Sequence, residues 1–539
     1  MSVVDRTISG RRVRWDDQRA ADAYARGLWV HETLADSLKR EAAEAPDCVL
    51  IADGKHRLDC RTLHDSAIAL AHAMLAHAPS GSVVSFMLPN WWEAAVIYLA
   101  ATLAGMVANP ILPSLRDREL SFILKDADAK LIFAPSSFRQ NDYAAMLNRV
   151  TAQLESPPLV IILRGDAGPH TQYASFLEDR DSRRELPALD PDAARMVMFT
   201  SGTTGSPKAV MHTHNSIHAL ICQLREHWLI SAGDKFLVPS PISHIGGSIY
   251  AFECPLLLGT TALLMDRWDA DEAVQIMESE QCTHVAGATP FLEQILAAAK
   301  RAGTRLPDLK VFICGGASVP PSLIRAGADY FSRAVVTRVY GSTEVPVTTV
   351  GAIDQDDKAH AADTDGRPGF AEIKLVDGSG NDSAEGEIYA RGPQMLVGYL
   401  HDEDEAGAFD SEGYYRTGDV GRWVDGDYLV VTGRVKDIII RNGENISPKE
   451  IEDILVSHPD IAEVAVVGLA DARTGERVCA VIVPRRQPGP DVTSLRTFLG
   501  DQGVARFKSP EQVVIRDSLP RNDAGKVLKA QLRATIAGV

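Results

Sequence analysis

As far as Tyr340 the chain alternates short apolar runs with longer stretches whose apolar residues recur every three or four positions. Val83-Val84-Ser85-Phe86-Met87, Leu131-Ile132-Phe133 and Leu159-Val160-Ile161-Ile162 predict buried strands behind a polar leader. Trp92, Val96, Leu99 and Leu103 mark the inner face of a helix that Asn90 is placed to cap. Further strands are predicted at Lys235 to Pro239, Thr261 to Met265, His284 to Ala286, Val311 to Cys314 and Val335 to Val339, with helices between. Such alternation implies parallel sheets covered by helices, here in two βα layers. From Gly366 to Gly433 short alternating segments with turns at Asp377-Gly378, Gly386, Gly392, Gly413 and Asp425-Gly426 predict a small β-barrel or meander. Past Arg434 the pattern is α+β, with a capping box of Ser447, Pro448 and Glu450 ahead of Ile451, Ile454 and Leu455, and strands at Glu463 to Gly468 and Val478 to Val483. The expected organisation is α/β: a large N-terminal domain over residues 1–435 and a small C-terminal domain over 436–539.

One loop interrupts this patterning. Met198-Phe199-Thr200 opens into Ser201-Gly202-Thr203-Thr204-Gly205-Ser206-Pro207-Lys208, ahead of a helix that Thr213 or Asn215 could cap and that carries Ile217, Leu220, Ile221 and Leu224. The loop is expected at a strand-to-helix turn. Its glycines allow close backbone approach, its hydroxyls donate, and Lys208 adds positive charge, which together suit a polyphosphate. The spacing is not that of a Walker A loop. His212, His214 and His218 have no nearby carboxylate or cysteine partner and read as local packing rather than a metal site.

Composition narrows the class. At 539 residues the chain exceeds one hydrophobic core, and 45% hydrophobic with 24% charged is ordinary globular make-up. A net charge of -17 argues against nucleic acid or anionic membrane as a general partner. The seven cysteines are scattered without CxxC spacing, pointing to reduced thiols in a cytoplasm. Arg6, Arg11, Arg12 and Arg14 precede no apolar run, so no secretion signal is expected. The uncharged stretch Ala94 to Leu115 is broken by Gly105, Asn109, Pro110 and Pro113, and reads as a buried helix and turn rather than a membrane span.

Five further segments complete the pattern: Pro241-Ile242-Ser243-His244-Ile245-Gly246-Gly247, Gly315-Gly316-Ala317, Tyr340-Gly341-Ser342-Thr343-Glu344, Tyr415-Arg416-Thr417-Gly418-Asp419 with Gly433-Arg434-Val435-Lys436-Asp437, and Pro520 through Gly525-Lys526. In this order the chain, from about Asp36 to Leu532, resembles the adenylate-forming (ANL) superfamily of acyl-CoA synthetases, peptide-synthetase adenylation domains and luciferases. The resemblance implies attack of a carboxylate on the α-phosphorus of ATP, loss of pyrophosphate, and capture of the acyl-adenylate by a thiol. It assigns the β- and γ-phosphates to Thr200, Ser201, Gly202, Thr203, Thr204, Gly205 and Lys208, and magnesium to Glu344. Tyr340 would stack on adenine, beside the backbone of Gly315, Gly316 and Ala317 and the turn Gly341-Ser342-Thr343. Asp419 would hold the ribose and Arg434 the ribose or phosphate. Lys526 would bridge the substrate carboxylate and the α-phosphate. Lys436 matches the hinge about which the C-terminal domain turns, and Gly443 and Glu444 belong to the loop that lines the thiol tunnel. In place of the usual glycine after the loop lysine stands Ala209, strained by about 1 kcal/mol if that position has positive φ.

The resemblance places His244 as a gate between acyl pocket and tunnel. The pocket candidates Ile245, Gly246, Gly247, Ser248, Ala286, Gly287, Ala288, Val345 and Pro346 carry no charge, which implies an apolar acid, whether aromatic, alicyclic or medium-chain. The aspartate of amino-acid-activating domains and the asparagine of siderophore aryl-acid enzymes are both missing after His244. Pro110-Ile111-Leu112-Pro113-Ser114-Leu115-Arg116 and the His-Thr-His at 212–214 associate the chain with the cyclohexanecarboxylate and medium-chain acyl-CoA ligase branch. Coenzyme A is the favoured acceptor, because no carrier motif is attached. A carrier protein in trans, or a nucleotide-binding protein without catalysis, are the alternatives, and monomer or homodimer is left open.

Overall fold

The computed structural model describes residues 3–200, 207–316, 319–442, 444–471, 473–521 and 526–537. The N-terminal part carries two seven-stranded sheets. In the first, Thr171–Gln172, Leu159–Leu163, Ala129–Pro135, Val83–Phe86, Val107–Pro110 and Ala194–Thr200 run parallel, and Lys208–Thr213 closes the edge antiparallel. In the second, Val335–Arg338, Val311–Cys314, His284–Gly287, Lys235–Val238, Thr261–Leu264 and Val49–Asp53 run parallel, with His56–Asp59 antiparallel at the edge. Two strands of that sheet therefore come from the expected polar leader. The leader also forms the hairpin Val4–Ile8 and Arg11–Trp15.

The helix Trp92–Leu103 is buried from Glu93 onward, and no helix among the described residues is long and apolar enough to cross a membrane. Asn90 does not cap it. Its amide donates to Val238 O and Ser240 O at 3.0 and 2.9 Å, while its Oδ1 accepts from Ile242 N at 3.0 Å, so it staples the helix entry to the other sheet. The helix N-terminus is served instead by Asp53, whose carboxylate accepts from Trp92 N at 3.1 Å.

The helix His214–His227 is capped by Thr213, whose hydroxyl accepts from Ser216 N. The three histidines pack, as expected. His212 and His214 are buried, His218 Nδ1 meets Leu28 O at 2.8 Å, and no group of three metal-ligating side chains occurs among the described residues.

Glu372–Val376, Glu385–Arg391, Tyr415–Val424 and Tyr428–Arg434 form a four-stranded antiparallel sheet in sequence order. Of the two forms expected there, barrel or meander, this is the meander, because its first and last strands do not pair. The C-terminal part is a five-stranded sheet built around the long hairpin Ile461–Asp471 and Gly475–Pro484, with helices Pro448–Leu455, Val492–Asp501 and Lys529–Ala537. Its own core joins Ile439, Ile451, Leu455, Val466, Ile482 and Leu495.

Candidate active site

Ala194–Thr200 pairs antiparallel with Lys208–Thr213, with Thr200 opposite Lys208, so a strand follows the glycine-rich stretch. Between the loop and the expected helix stands this six-residue strand, Lys208–Thr213, so the loop does not sit at a strand-to-helix turn. Ser201, Gly202, Thr203, Thr204 and Gly205 lie outside the described residues. Thr200 Oγ1 donates to Lys208 O at 3.4 Å. Lys208 Nζ donates to Asp404 O at 2.8 Å and sits 4.9 Å from the centre of the Tyr399 ring. Ala209 is buried in this strand, opposite Phe199, and is not among the positive-φ residues. The extended backbone takes an L-residue without strain, so the cost conditional on positive φ does not arise.

The turn after Val335–Arg338 is held from several sides. Tyr340 N donates to Thr349 Oγ1 at 2.8 Å, and Val345 N donates to Ser342 Oγ at 3.2 Å. His212 Nε2 donates to Thr343 O at 2.7 Å. Burial pushes the His212 imidazole down to about 4, so it is neutral and keeps this tie across the physiological range. Gly341 is required sterically, since a Cβ there would stand 2.6 Å from Val347 N. Glu344, 8% exposed, accepts from Tyr399 OH at 3.2 Å, and that hydroxyl lies 3.2 Å from Tyr415 OH. Burial and the Glu344 carboxylate push both phenols up, which keeps them protonated donors. Tyr399 is a site residue the sequence motifs do not include; the signal that points to it is its place just ahead of the acidic run Asp402–Glu405.

Gly315 and Gly316 end the strand Val311–Cys314 beside this turn. A Cβ on Gly315 would lie 2.9 Å from Val339 O, and Gly316 has a φ of +79°. Ala317 lies outside the described residues. Tyr340 OH donates to Asp419 Oδ2 at 2.8 Å, and Arg434 Nε meets Asp419 Oδ1 at 2.8 Å. Asp419 and Arg434 face each other in register on neighbouring strands of the meander, which fixes their separation.

Lys526 is exposed, with Arg434, Asp419, Asp437 and Lys529 near enough to act on its charge. Burial, followed by the Arg434 charge, pulls its ammonium down to about 8, against the opposing carboxylates of Asp419 and Asp437. The structure therefore brings the far C-terminal lysine to the Tyr340–Asp419–Arg434 group. Lys436 lies in the single turn Val435–Asp437 between the meander and the C-terminal sheet. There Asp437 accepts from Arg533 at 2.9 Å. Gly443 lies outside the described residues, and Glu444 is exposed at the start of its strand.

His244 N donates to Pro241 O at 3.0 Å, and the residue is the N-cap of Ile245–Ser248. This short helix is pressed onto the preceding loop so closely that a Cβ on Gly247 would fall 2.1 Å from Pro241 O. Gly246 is open, with only the Tyr250 ring 3.8 Å from a Cβ there. Ser248 and Val345 are fully buried, whereas Ile245 and Ala288 are half-buried.

The chain belongs to the AMP-binding enzyme family: the family's model matches residues 38–400, and the model of its C-terminal domain matches 450–526. Its fold is that of the adenylate-forming enzymes. It superposes on ATP-bound MatB from Rhodopseudomonas palustris with a TM-score of 0.81 at 25% identity, covering 93% of this chain and 99% of that one. Within the family it is an acid–thiol ligase of the AMP-forming class. A medium-chain fatty-acid–CoA ligase of Escherichia coli is 36% identical over 97% of this chain and 94% of its own length. A salicylyl-CoA synthase/salicylate adenylyltransferase of a Streptomyces species is 32% identical over 98% of each.

Proposed function

We propose that the protein couples an apolar carboxylic acid, aromatic, alicyclic or medium-chain, to coenzyme A through an acyl-adenylate, releasing AMP and pyrophosphate. The observation that carries this reading is the convergence of Lys526 on Asp419, Arg434 and Tyr340. The Asp419 carboxylate suits the ribose hydroxyls once they displace its present partners. Lys526 bridges the attacking carboxylate and the α-phosphate, and bringing two anions together at a fixed cation stabilises the charge that builds in the transition state. Thr200 and Lys208 lie on the two strands that present the loop to the outer phosphates. A magnesium ion fits a single buried carboxylate completed by phosphate oxygens and water, and Glu344 would hold it there, where it neutralises phosphate charge.

The uncharged positions Ile245, Gly246, Gly247, Ser248, Ala288 and Val345 support an apolar acid, as do relatives named for medium-chain and aryl substrates. His244 gates pocket and tunnel. Domains 1–435 and 436–539 turn about Lys436, so that Lys526 leaves after adenylation and the Gly443-Glu444 loop replaces it. All seven cysteines are free, which fits a cytoplasmic enzyme.

A panel of aromatic, alicyclic and linear acids with ATP tests the assignment. AMP release that requires free coenzyme A is expected, and adenylate formation that ignores coenzyme A but acylates a phosphopantetheinyl carrier protein overturns the acceptor.

A pH dependence follows from Lys526. A lysine with a lowered pKa carries its charge below that value and loses it above, so kcat/KM for ATP in pyrophosphate exchange is expected to fall above about pH 8. Bound anions hold the charge, so kcat falls only at higher pH. Lys526→Arg should remove the kcat/KM limb, and an unchanged limb in that variant contradicts the assignment.

A further inference from the structure

The segment from Pro393 to Phe409 passes behind the phosphate end of the cleft, and residues outside both family-matched regions grip it. Arg14 N donates to Val397 O at 2.7 Å, and Trp29 Nε1 donates to Pro393 O at 3.0 Å. The turn Asp402–Glu405 carries four consecutive carboxylates. Arg14 Nη1 and Arg12 Nη2 both reach Glu405 Oε2, at 2.8 and 3.2 Å, and Arg12 also pairs with Asp402. Glu405 is 8% exposed, and its other oxygen accepts from Tyr399 N at 3.3 Å. From there the chain of contacts divides: Tyr399 OH donates to Glu344, and the adjacent Asp404 O holds Lys208.

We propose that Arg14, seconded by Arg12 and acting through Glu405, is a positioning residue for the triphosphate and magnesium end of the site, an inference that rests on the reading of Glu344 and Lys208 above. An acidic turn beside a triphosphate is unfavourable unless its charge is neutralised and its backbone held, and the two arginines of the amino-terminal hairpin do both. The same ion pair fixes Tyr399 N and Asp404 O, which set the donor to Glu344 and the resting place of Lys208. Displacing either by about 1 Å is enough to misalign phosphate contacts. The -17 net charge makes this local neutralisation more important, because the rest of the surface supplies no surplus of cations.

The test is Arg14→Met, which keeps the stem and removes the charge, assayed by pyrophosphate exchange where circular dichroism shows the variant folded. KM for MgATP is expected to rise about tenfold, with KM for the acid and the rate of thiolation within about twofold. Arg14→Lys should restore most of the loss, and Arg14→Met/Glu405→Gln should be no worse than Arg14→Met. A variant with lowered Tm but an unchanged KM for MgATP overturns the proposal, since only a structural role remains. Glu344→Gln is the reference: a normal MgATP response there removes the metal role on which the inference rests. A Glu344→Gln defect beside a normal Arg14→Met overturns the positioning role alone.

Discussion

Lys526→Ala is expected to slow adenylate formation by about 10²- to 10³-fold while leaving thiolation of a supplied acyl-adenylate within about threefold. Arg434, the cation that acts most strongly on Lys526, is engaged by Asp419 at 2.8 Å, so it is not a ready substitute at the α-phosphate. The low pKa of Lys526 shows what the free site costs its ammonium: burial and Arg434 both disfavour the charge until anionic substrates arrive. Removing the lysine leaves two anions to approach without a bridge. Thiolation starts from the mixed anhydride, in which one of those charges has been neutralised, and in the proposed cycle Lys526 has by then withdrawn. Equal loss in both half-reactions would refute the division of labour between the two domain positions.

Glu253→Ala is expected to be the most damaging single change to stability. Arg195 and Glu253 are 4% and 1% exposed, with Nη2 and Oε1 2.6 Å apart, and Tyr98 hydrogen-bonds to both. Burial alone would lower the arginine's pKa, but Glu253 and Tyr98 outweigh it and hold the guanidinium charged. Truncating Glu253 leaves that charge buried and unpaired, a loss of about 3–5 kcal/mol. The cost already shows in the intact cluster, where Arg195 Nε and Glu253 Oε2 are buried without a hydrogen-bond partner among the described residues. Replacing both groups by apolar ones, Arg195→Met with Glu253→Leu, should recover most of the loss. Denaturant unfolding measures this, and a Glu253→Ala loss below about 1 kcal/mol would contradict the account. The cluster ties the strand Ala194–Thr200 to the π-helical turn Ile249–Glu253 that follows the helix Ile245–Ser248. The proposed nucleotide and acyl sides of the site are thereby anchored to one another in the core.

The parallel sheets were legible because their strands are continuous apolar runs such as Leu159–Leu163, buried on both faces. The site was legible because glycines and charged residues stand there in fixed order, and Gly315, Gly341 and Gly247 each meet backbone where a Cβ would be. Elements whose signal is shared with a neighbour were hidden. Lys208–Thr213 runs directly into its successor helix, with no turn between them to mark it as a separate strand. Val49–Asp53 and His56–Asp59 form a hairpin too short to stand out in a charged leader. Asn90 precedes a helix and looks like its cap, but its amide satisfies three backbone groups of the loop opposite, which no local pattern reveals. Arg14, Tyr399 and Glu405 were hidden for the same reason: Arg14 pairs with Glu405, and Tyr399 with Glu344, across the fold.

The central claim is that one cleft carries out adenylation before thiolation. Acid-dependent exchange of radiolabelled pyrophosphate into ATP, measured without coenzyme A and repeated with it while AMP and acyl-CoA are counted, tests this most directly. The account predicts exchange with an apolar acid alone, and equal yields of AMP and acyl-CoA once the thiol is added. Exchange absent with every acid, in enzyme that binds ATP, would contradict it.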